Sequence, residues 1–187
     1  MEKEKRSERE SSSLEAQRKE IKKEIKSRIL QILAENNISN RMIADQLNHK
    51  DHTVRTWFSP ERQTIHFYFL VYLHDVHNVN LNFVICGDKE KDGGPFLNPQ
   101  NCTQKREVNI TSDNELKKEI AVRIKTELKK HNLKNKVLAE EFDVADSAVA
   151  NWFGDWMKSR AIRFDLLVYL WREHGIDINY LICGDNF

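Results

Sequence analysis

The chain has 187 residues, of which 40% are hydrophobic and 32% are charged, and its formal net charge is +1. This length suits one medium domain or two small ones, and no apolar run approaches the roughly 20 residues that a membrane span needs. The charge lacks the strong basic excess that would indicate nucleic-acid binding by itself, so any basic surface must be local. The opening sequence MEKEKRSERE is charged throughout and lacks the apolar segment of a signal peptide, which predicts a cytoplasmic protein.

The first part of the chain has the pattern of a five-helix domain at residues 12–88, preceded by a disordered charged tail at residues 1–11. Ser12 followed by Glu15 resembles a capping box, and apolar residues then recur at helical spacing from Ile21. We expect further helices at about Asn40–Leu47, Asp51–Phe58 and Phe67–Val76, and a last one from near Asn80 to Gly87. Glycine at that end suits a left-handed residue after a helix.

The same pattern occurs a second time. The segment IKSRILQILAENNISNRMIADQL from Ile25 matches IAVRIKTELKKHNLKNKVLAEEF from Ile120, an offset of 95 residues that holds through VRTWF and VANWF. TIHFYFLVYL from Thr64 matches AIRFDLLVYL from Ala161 at an offset of 97, so two residues are inserted after Phe153. The duplication predicts a second five-helix domain at residues 112–187, in which Ser112 and Glu115 repeat the capping box.

Residues 89–111 form the predicted linker between copy one (12–88) and copy two (112–187). Gly93, Gly94, Pro95 and Pro99 interrupt regular structure there. Fully stretched, such a linker reaches roughly 75 Å at about 3.3 Å per residue. Successive major-groove faces of DNA are only about 34 Å apart, so the linker is long enough for both copies to reach one duplex.

Each copy contains a segment that resembles the helix-turn-helix of the lambda-repressor-like family (phage repressor or Xre type), usually written L-A-x-x-L-G-V-S-x-S-T-I-S-R-W-E. In copy one the resemblance rests on Ile43–Leu47 and Thr53–Trp57, and in copy two it rests more closely on Leu138–Trp152. It implies an all-α chain of two tandem five-helix helix-turn-helix domains joined by a linker. It also implies sequence-specific binding of double-stranded DNA by a transcriptional regulator, a repressor, of bacterial, phage or mobile-element origin.

Three departures from the family pattern affect this expectation, and the first is that Phe58 and Phe153 replace the glutamate that follows the tryptophan. Asn48 and Asp143 replace the glycine of the turn, and because both residue types adopt positive φ, we expect the turn to survive. Asp51 and Asp146 open the second helix of each motif. An aspartate there accepts a hydrogen bond from cytosine N4 or caps the helix N-terminus.

In this family the second helix of the motif lies in the major groove, and its early residues meet base edges. The resemblance therefore assigns base-facing and phosphate-facing positions in copy one to Asn40, Arg41, Lys50, His52, Thr53, Arg55 and Thr56. The equivalent positions in copy two are Asn135, Lys136, Ser147, Ala148 and Asn151. Copy one is the better reader because it offers His52 between two cations, although Lys50 and Arg55 are also compatible with ordinary solvated surface.

The main alternative is a protein-interaction or dimerisation module that keeps the fold and has lost DNA contacts in one or both copies. The near-neutral charge and the acidic Asp51 and Asp146 favour it. So do the aromatic and apolar residues Phe153, Trp156 and Met157 at the insertion, which form an exposed partner patch or complete the core.

Metal chemistry has little support in the sequence. The three cysteines are far apart and form no CxxC pair: Cys86, Cys102 and Cys183. Cys86 and Cys183 are at equivalent places in the two copies, which predicts small buried side chains. His74 and His77 have the i, i+3 spacing of metal ligands, but no third ligand is apparent and copy two keeps only one of the two histidines. We therefore expect no metal site.

Catalytic patterns are also absent from the sequence. There is no paired-carboxylate arrangement, nucleophile motif or glycine-rich phosphate loop. The sequence thus predicts a protein that is not an enzyme and uses no cofactor. Double-stranded DNA is the expected partner and a homodimer is compatible with the pattern, whereas a membrane or a small-molecule substrate is not expected.

Overall fold

The computed structural model describes residues 2–59, 65–87, 94–97, 113–152 and 162–184, with side chains from residue 14 in copy one and from residue 114 in copy two. In these ranges copy one forms helices α1 (Glu2–Glu35), α2 (Asn40–Gln46), α3 (Asp51–Trp57), α4 (Phe67–His77) and α5 (Leu81–Cys86). Copy two forms α6 (Asp113–Lys130), α7 (Asn135–Glu141), α8 (Asp146–Trp152), α9 (Phe164–His174) and α10 (Ile178–Cys183). The predicted all-α class is confirmed for the described residues, and none of their helices is long and apolar enough to cross a bilayer.

The first helix begins earlier than the sequence pattern predicts. It starts at Glu2, so a helix occupies residues 2–11 where we expected a disordered tail, and Ser12 lies inside the helix rather than at its cap. The composition explains the difference, because eight of these ten residues are Glu, Lys or Arg, which all have high helix propensity. The equivalent Ser112 lies outside the described residues.

The turn between the second and third helices is the same in both copies. Asn48 has a φ of 51° and Asp143 a φ of 46°, which confirms the expectation that both residues adopt positive φ and that the turn survives without glycine. In copy one the N–H of His49 donates to the carbonyl of Ala44 at 2.8 Å. In copy two the N–H of Val144 makes the equivalent bond to the carbonyl of Ala139 at 2.9 Å. Each pair of short helices is therefore held by one backbone pattern.

An arginine from the first helix of each copy stabilises the end of the last helix. Arg28 Nε donates to the carbonyl oxygen of Val84 at 2.8 Å, and its Nη2 donates to that of Ile85 at 2.9 Å. Arg123 makes the equivalent pair of bonds at the end of α10. The last carbonyls of a helix have no partner within it, and these charged donors satisfy two of them. Gly87 then ends α5 with a φ of 79°.

We expect Gly87→Ala to destabilise the chain more than Gly175→Ala. Both glycines have positive φ, but a Cβ at Gly87 would lie 2.5 Å from Arg28 Nη1, whereas one at Gly175 would meet nothing within 4 Å. The conformational cost alone is about 1 kcal/mol for each variant. Displacing Arg28 also weakens two charge-assisted bonds, so Gly87→Ala should cost about 2–4 kcal/mol. Urea unfolding of the two variants measures the difference, and equal losses would contradict the role of Arg28.

The two copies pack against each other through a contact with approximate two-fold symmetry. Helix α9 packs on α5, α10 packs on α4, and α5 and α10 contact each other. At its centre, Asn82 Oδ1 accepts a hydrogen bond from Ile178 N at 2.8 Å. Its equivalent, Asn179 Oδ1, accepts one from Leu81 N at 2.7 Å. Each copy thus supplies the side-chain acceptor that satisfies the first turn of the other copy's last helix.

Further contacts of this interface follow the same symmetry. The rings of Phe67 and Phe164, at equivalent positions, are stacked with centroids 5.4 Å apart. The amide of Asn82 donates to Asp177, and that of Asn179 donates to Asn80. The packed interface, rather than the reach of the linker, therefore determines how far apart the copies lie.

The described part of the predicted linker is attached to copy one. Leu97 N donates to the carbonyl of Asn78 at 2.8 Å, and Asn80 N donates to that of Pro95 at 3.0 Å. The remaining linker residues lie outside the described ranges. At least residues 94–97 therefore form part of the surface of copy one.

A half-buried carboxylate joins α1 to copy two. Arg18 Nε donates to Asp165 Oδ2 at 3.2 Å, and Arg163 also pairs with this carboxylate. Burial opposes ionisation of Asp165, but the hydrogen bonds and charges of Arg163 and Arg18 hold its pKa below the ordinary value. Helix α1 thus belongs to the contact between the copies as well as to the core of copy one.

Candidate nucleic-acid interface

Helix α3 is fixed to the rest of copy one through one apolar side. Val54 and Trp57 are buried. The Trp57 ring contacts that of His49 edge-on at 5.3 Å and also contacts Tyr68 and Phe69 of α4 at 5.7 and 5.8 Å. These contacts orient the helix and leave its other side facing outward.

The outward side of α3 carries the predicted base-reading residues. His52 and Arg55 are exposed, and Thr53 and Thr56 are half-buried. The Thr56 hydroxyl donates to the carbonyl of Thr53 at 2.7 Å, so its hydrogen stays within the helix while its oxygen remains able to accept. Lys50 is exposed at the N-cap position. The structure therefore brings these five residues together on one helix.

Asp51 does not cap α3. The N-cap residue is Lys50, which makes no side-chain cap bond, and Asp51 Oδ2 instead pairs with Arg55 Nε at 2.8 Å. In the first turn the negative charge still suits the helix dipole. In copy two, Asp146 is likewise the first residue of α8 and not its cap. Arg55 consequently has a carboxylate partner, which DNA phosphate would have to replace.

The predicted phosphate-contacting residues lie in the first turns of α2 and α7. Asn40 is half-buried and Arg41 is exposed, with Arg41 Nε 3.9 Å from Asp45. Ser39 caps α2 by accepting a bond from its backbone at 3.2 Å, whereas Lys134 at the same place in copy two makes no such bond. The cap therefore makes the start of α2 better defined than that of α7.

Copy two presents smaller and neutral side chains. On α8, Ser147 and Asn151 are exposed and Ala148 is half-buried. Asn135 and Lys136, at the start of α7, are exposed. Helix α8 is again held by its tryptophan, because the Arg163 guanidinium lies 4.1 Å from the centre of the Trp152 ring. The two copies therefore share the arrangement of their helices but differ in the side chains that face outward.

Local charge separates the two helix pairs further. Residues 39–58 of copy one carry three cations, Arg41, Lys50 and Arg55, against two acids, Asp45 and Asp51. Residues 134–152 of copy two carry two cations, Lys134 and Lys136, against four acids, Glu140, Glu141, Asp143 and Asp146. A phosphate-contacting surface needs a local excess of Lys and Arg. Only copy one has such an excess.

Sequence reasoning missed one further pair of residues at this surface. Met42 and Val137 are 47% and 42% exposed, and they occupy equivalent positions on α2 and α7. Their recurrence at the offset of 95 residues was the available signal. An apolar side chain here is suited to contact a sugar or a thymine methyl group.

Both helix pairs are left uncovered by the contact between the copies. Helices α2 and α3 contact mainly each other, as do α7 and α8, whereas α1, α4, α5 and their equivalents form the interface.

Comparison with known proteins gives no assignment: no protein-family model, no curated protein and no solved structure matches this chain.

Proposed function

We propose that this protein binds double-stranded DNA sequence-specifically through tandem helix-turn-helix domains and acts as a transcriptional regulator, with α3 of copy one as its principal reading helix. The observation that carries the proposal is the outward side of α3. There His52, Thr53 and Arg55 share a short helix whose opposite side is buried, which is the arrangement that a major-groove helix needs.

The arrangement of the copies supports the proposal. Two-fold-related reading helices suit a duplex with two half-sites, because DNA presents equivalent groove faces at each helical turn. In this proposal the symmetric packing of α4, α5, α9 and α10 supplies that relation within one chain. A homodimer remains a prediction. Sedimentation of the free chain and of the DNA-bound chain would determine the oligomeric state.

The surface charge favours an unequal pair of readers. Exposed ion pairs such as Asp51–Arg55 contribute little to stability, so Arg55 can exchange its carboxylate for phosphate at small cost. Residues 134–152 of copy two carry four acids, and these negative charges repel phosphate. Copy two therefore makes the weaker contact in this proposal.

Selection from random double-stranded DNA, followed by fluorescence anisotropy over a salt series, tests the proposal. The logarithm of the affinity should fall linearly with the logarithm of salt concentration. Lys50→Ala should weaken binding to all sequences alike and reduce the salt slope by about one. Lys125→Ala, an exposed lysine on α6, is the matched control and should leave the slope unchanged. Absence of binding above background at low salt would reject the proposal.

The second candidate is a protein-interaction module, and the excess of acids on copy two specifically favours it. The apolar patch suggested for Phe153, Trp156 and Met157 lies outside the described residues. If selection yields no sequence and the chain binds basic protein surfaces in a salt-sensitive way, this second function replaces the first.

A further inference from the structure

The two copies also differ at a buried place in their interface, on α4 and α9. Helix α4 carries His74 and Asp75 where α9 carries Trp171 and Arg172. Arg172 Nη2 donates to the carbonyl of Cys86 at 3.2 Å, across the interface. On the opposite side, the residue equivalent to that arginine is an aspartate.

Three metal-binding residue types meet at this aspartate. One ligand atom from each of His74, Asp75 and Cys183 lies within 4.8 Å of the other two. His74 Nδ1 is 2.8 Å from Asp75 Oδ1, and the side chains of these residues are only 3% and 8% exposed. Cys183 is 7% exposed. Two ligands come from α4 and the third comes from α10, so the group spans both copies.

The charges of the group favour a cation. A buried carboxylate is costly unless hydrogen bonds and a positive charge compensate it. Asp75 has the ring nitrogen of His74 at 2.8 Å, and a cation supplies the positive charge that Arg172 brings to the equivalent position. A divalent ion bound by one carboxylate, one thiolate and a neutral imidazole leaves the group with no net charge. Sulfur and nitrogen ligands select Zn²⁺ over Mg²⁺ or Ca²⁺, and three protein ligands leave a fourth position for water.

We propose that His74, Asp75 and Cys183 bind one zinc-class divalent ion that links α4 of copy one to α10 of copy two. The ion acts as a structural clamp on the interface that relates the two reading helices. This site does not depend on DNA binding, and its test uses no DNA.

Cobalt substitution tests the site directly in the full-length chain. After chelation and dialysis, we expect Co²⁺ to bind at one equivalent per chain with a thiolate-to-cobalt absorption band and visible d–d bands. Cys183→Ser should remove the thiolate band, and His74→Gln should weaken binding by at least tenfold. Cys86→Ser and Cys102→Ser are the matched controls and should keep the full band. Circular dichroism establishes that each variant is folded.

Thermal unfolding provides the second measurement. At a free Zn²⁺ concentration a hundredfold above its Kd, the Tm should rise by about 5–10 °C, and this rise should disappear in His74→Gln. If the wild-type chain binds neither Co²⁺ nor Zn²⁺ at one equivalent, the proposal is wrong. It is also wrong if Cys183→Ser and His74→Gln both bind as the wild type does, because the ion then lies elsewhere.

Discussion

Replacement of Asn179 by alanine is expected to lower the free energy of unfolding by about 2–4 kcal/mol. This side chain is 1% exposed, accepts a bond from Leu81 N and donates one to Asn80. Its removal leaves a buried N–H of α5 without an acceptor, and a buried polar group without a partner costs about 1–3 kcal/mol. The loss of the second bond adds to this. Urea unfolding followed by circular dichroism measures the change.

The approximate symmetry provides a built-in comparison for this experiment. Asn82→Ala removes the equivalent acceptor from Ile178 N, so its effect should be similar. Asn135→Ala, at an exposed asparagine, should change the free energy of unfolding by no more than about 0.5 kcal/mol. A small effect of both buried substitutions would mean that the copies do not pack in this way in solution.

The double substitution His52→Ala/Arg55→Ala is expected to reduce affinity for the selected DNA by about 10- to 100-fold, which corresponds to about 1–3 kcal/mol. Both side chains are exposed on the outward side of α3, away from the buried Val54 and Trp57. The substitutions should therefore remove DNA contacts without disturbing the core. Fluorescence anisotropy at fixed salt measures the loss.

The matched variant in copy two is Ser147→Ala/Asn151→Ala, at the positions equivalent to His52 and Thr56. We expect it to reduce affinity by threefold or less, because the acids of residues 134–152 repel phosphate and leave copy two with few DNA contacts to lose. A larger loss in copy two than in copy one would overturn the assignment of α3 as the principal reader. Equal losses would show that the two copies read DNA alike.

Most helix positions were predictable from the sequence because local rules govern them. The recurrence of apolar residues placed the helices of each copy, and Gly87 and Gly184 end their helices with positive φ. The predicted start of α1 was wrong. Ser12 looked like a helix cap, whereas the charged residues before it are themselves strong helix formers and belong to the helix. Local signals compete at such a boundary, and the sequence alone does not rank them.

The candidate DNA surface was predictable as a set of residues but not as a set of charges. Repeat spacing identified His52, Arg55 and their equivalents, which lie outward as expected. Only the structure paired Arg55 with Asp51 and Arg41 with Asp45. Such pairs depend on rotamers within one helical turn, so the number of cations in the sequence does not give the number that face solvent without a carboxylate partner.

By itself, the sequence determined that the chain is helical and duplicated, because periodicity and repetition are properties of the residue order. The contact between the copies was decided only by the tertiary structure. Asn82 and Asn179 had no sequence signal, since an asparagine near a helix start is common and its partner lies 96–98 residues away in the other copy. Cys183 likewise became a possible ligand for His74 only when α10 packed on α4. Contacts between distant residues depend on which faces pack together, and that is a property of the whole fold.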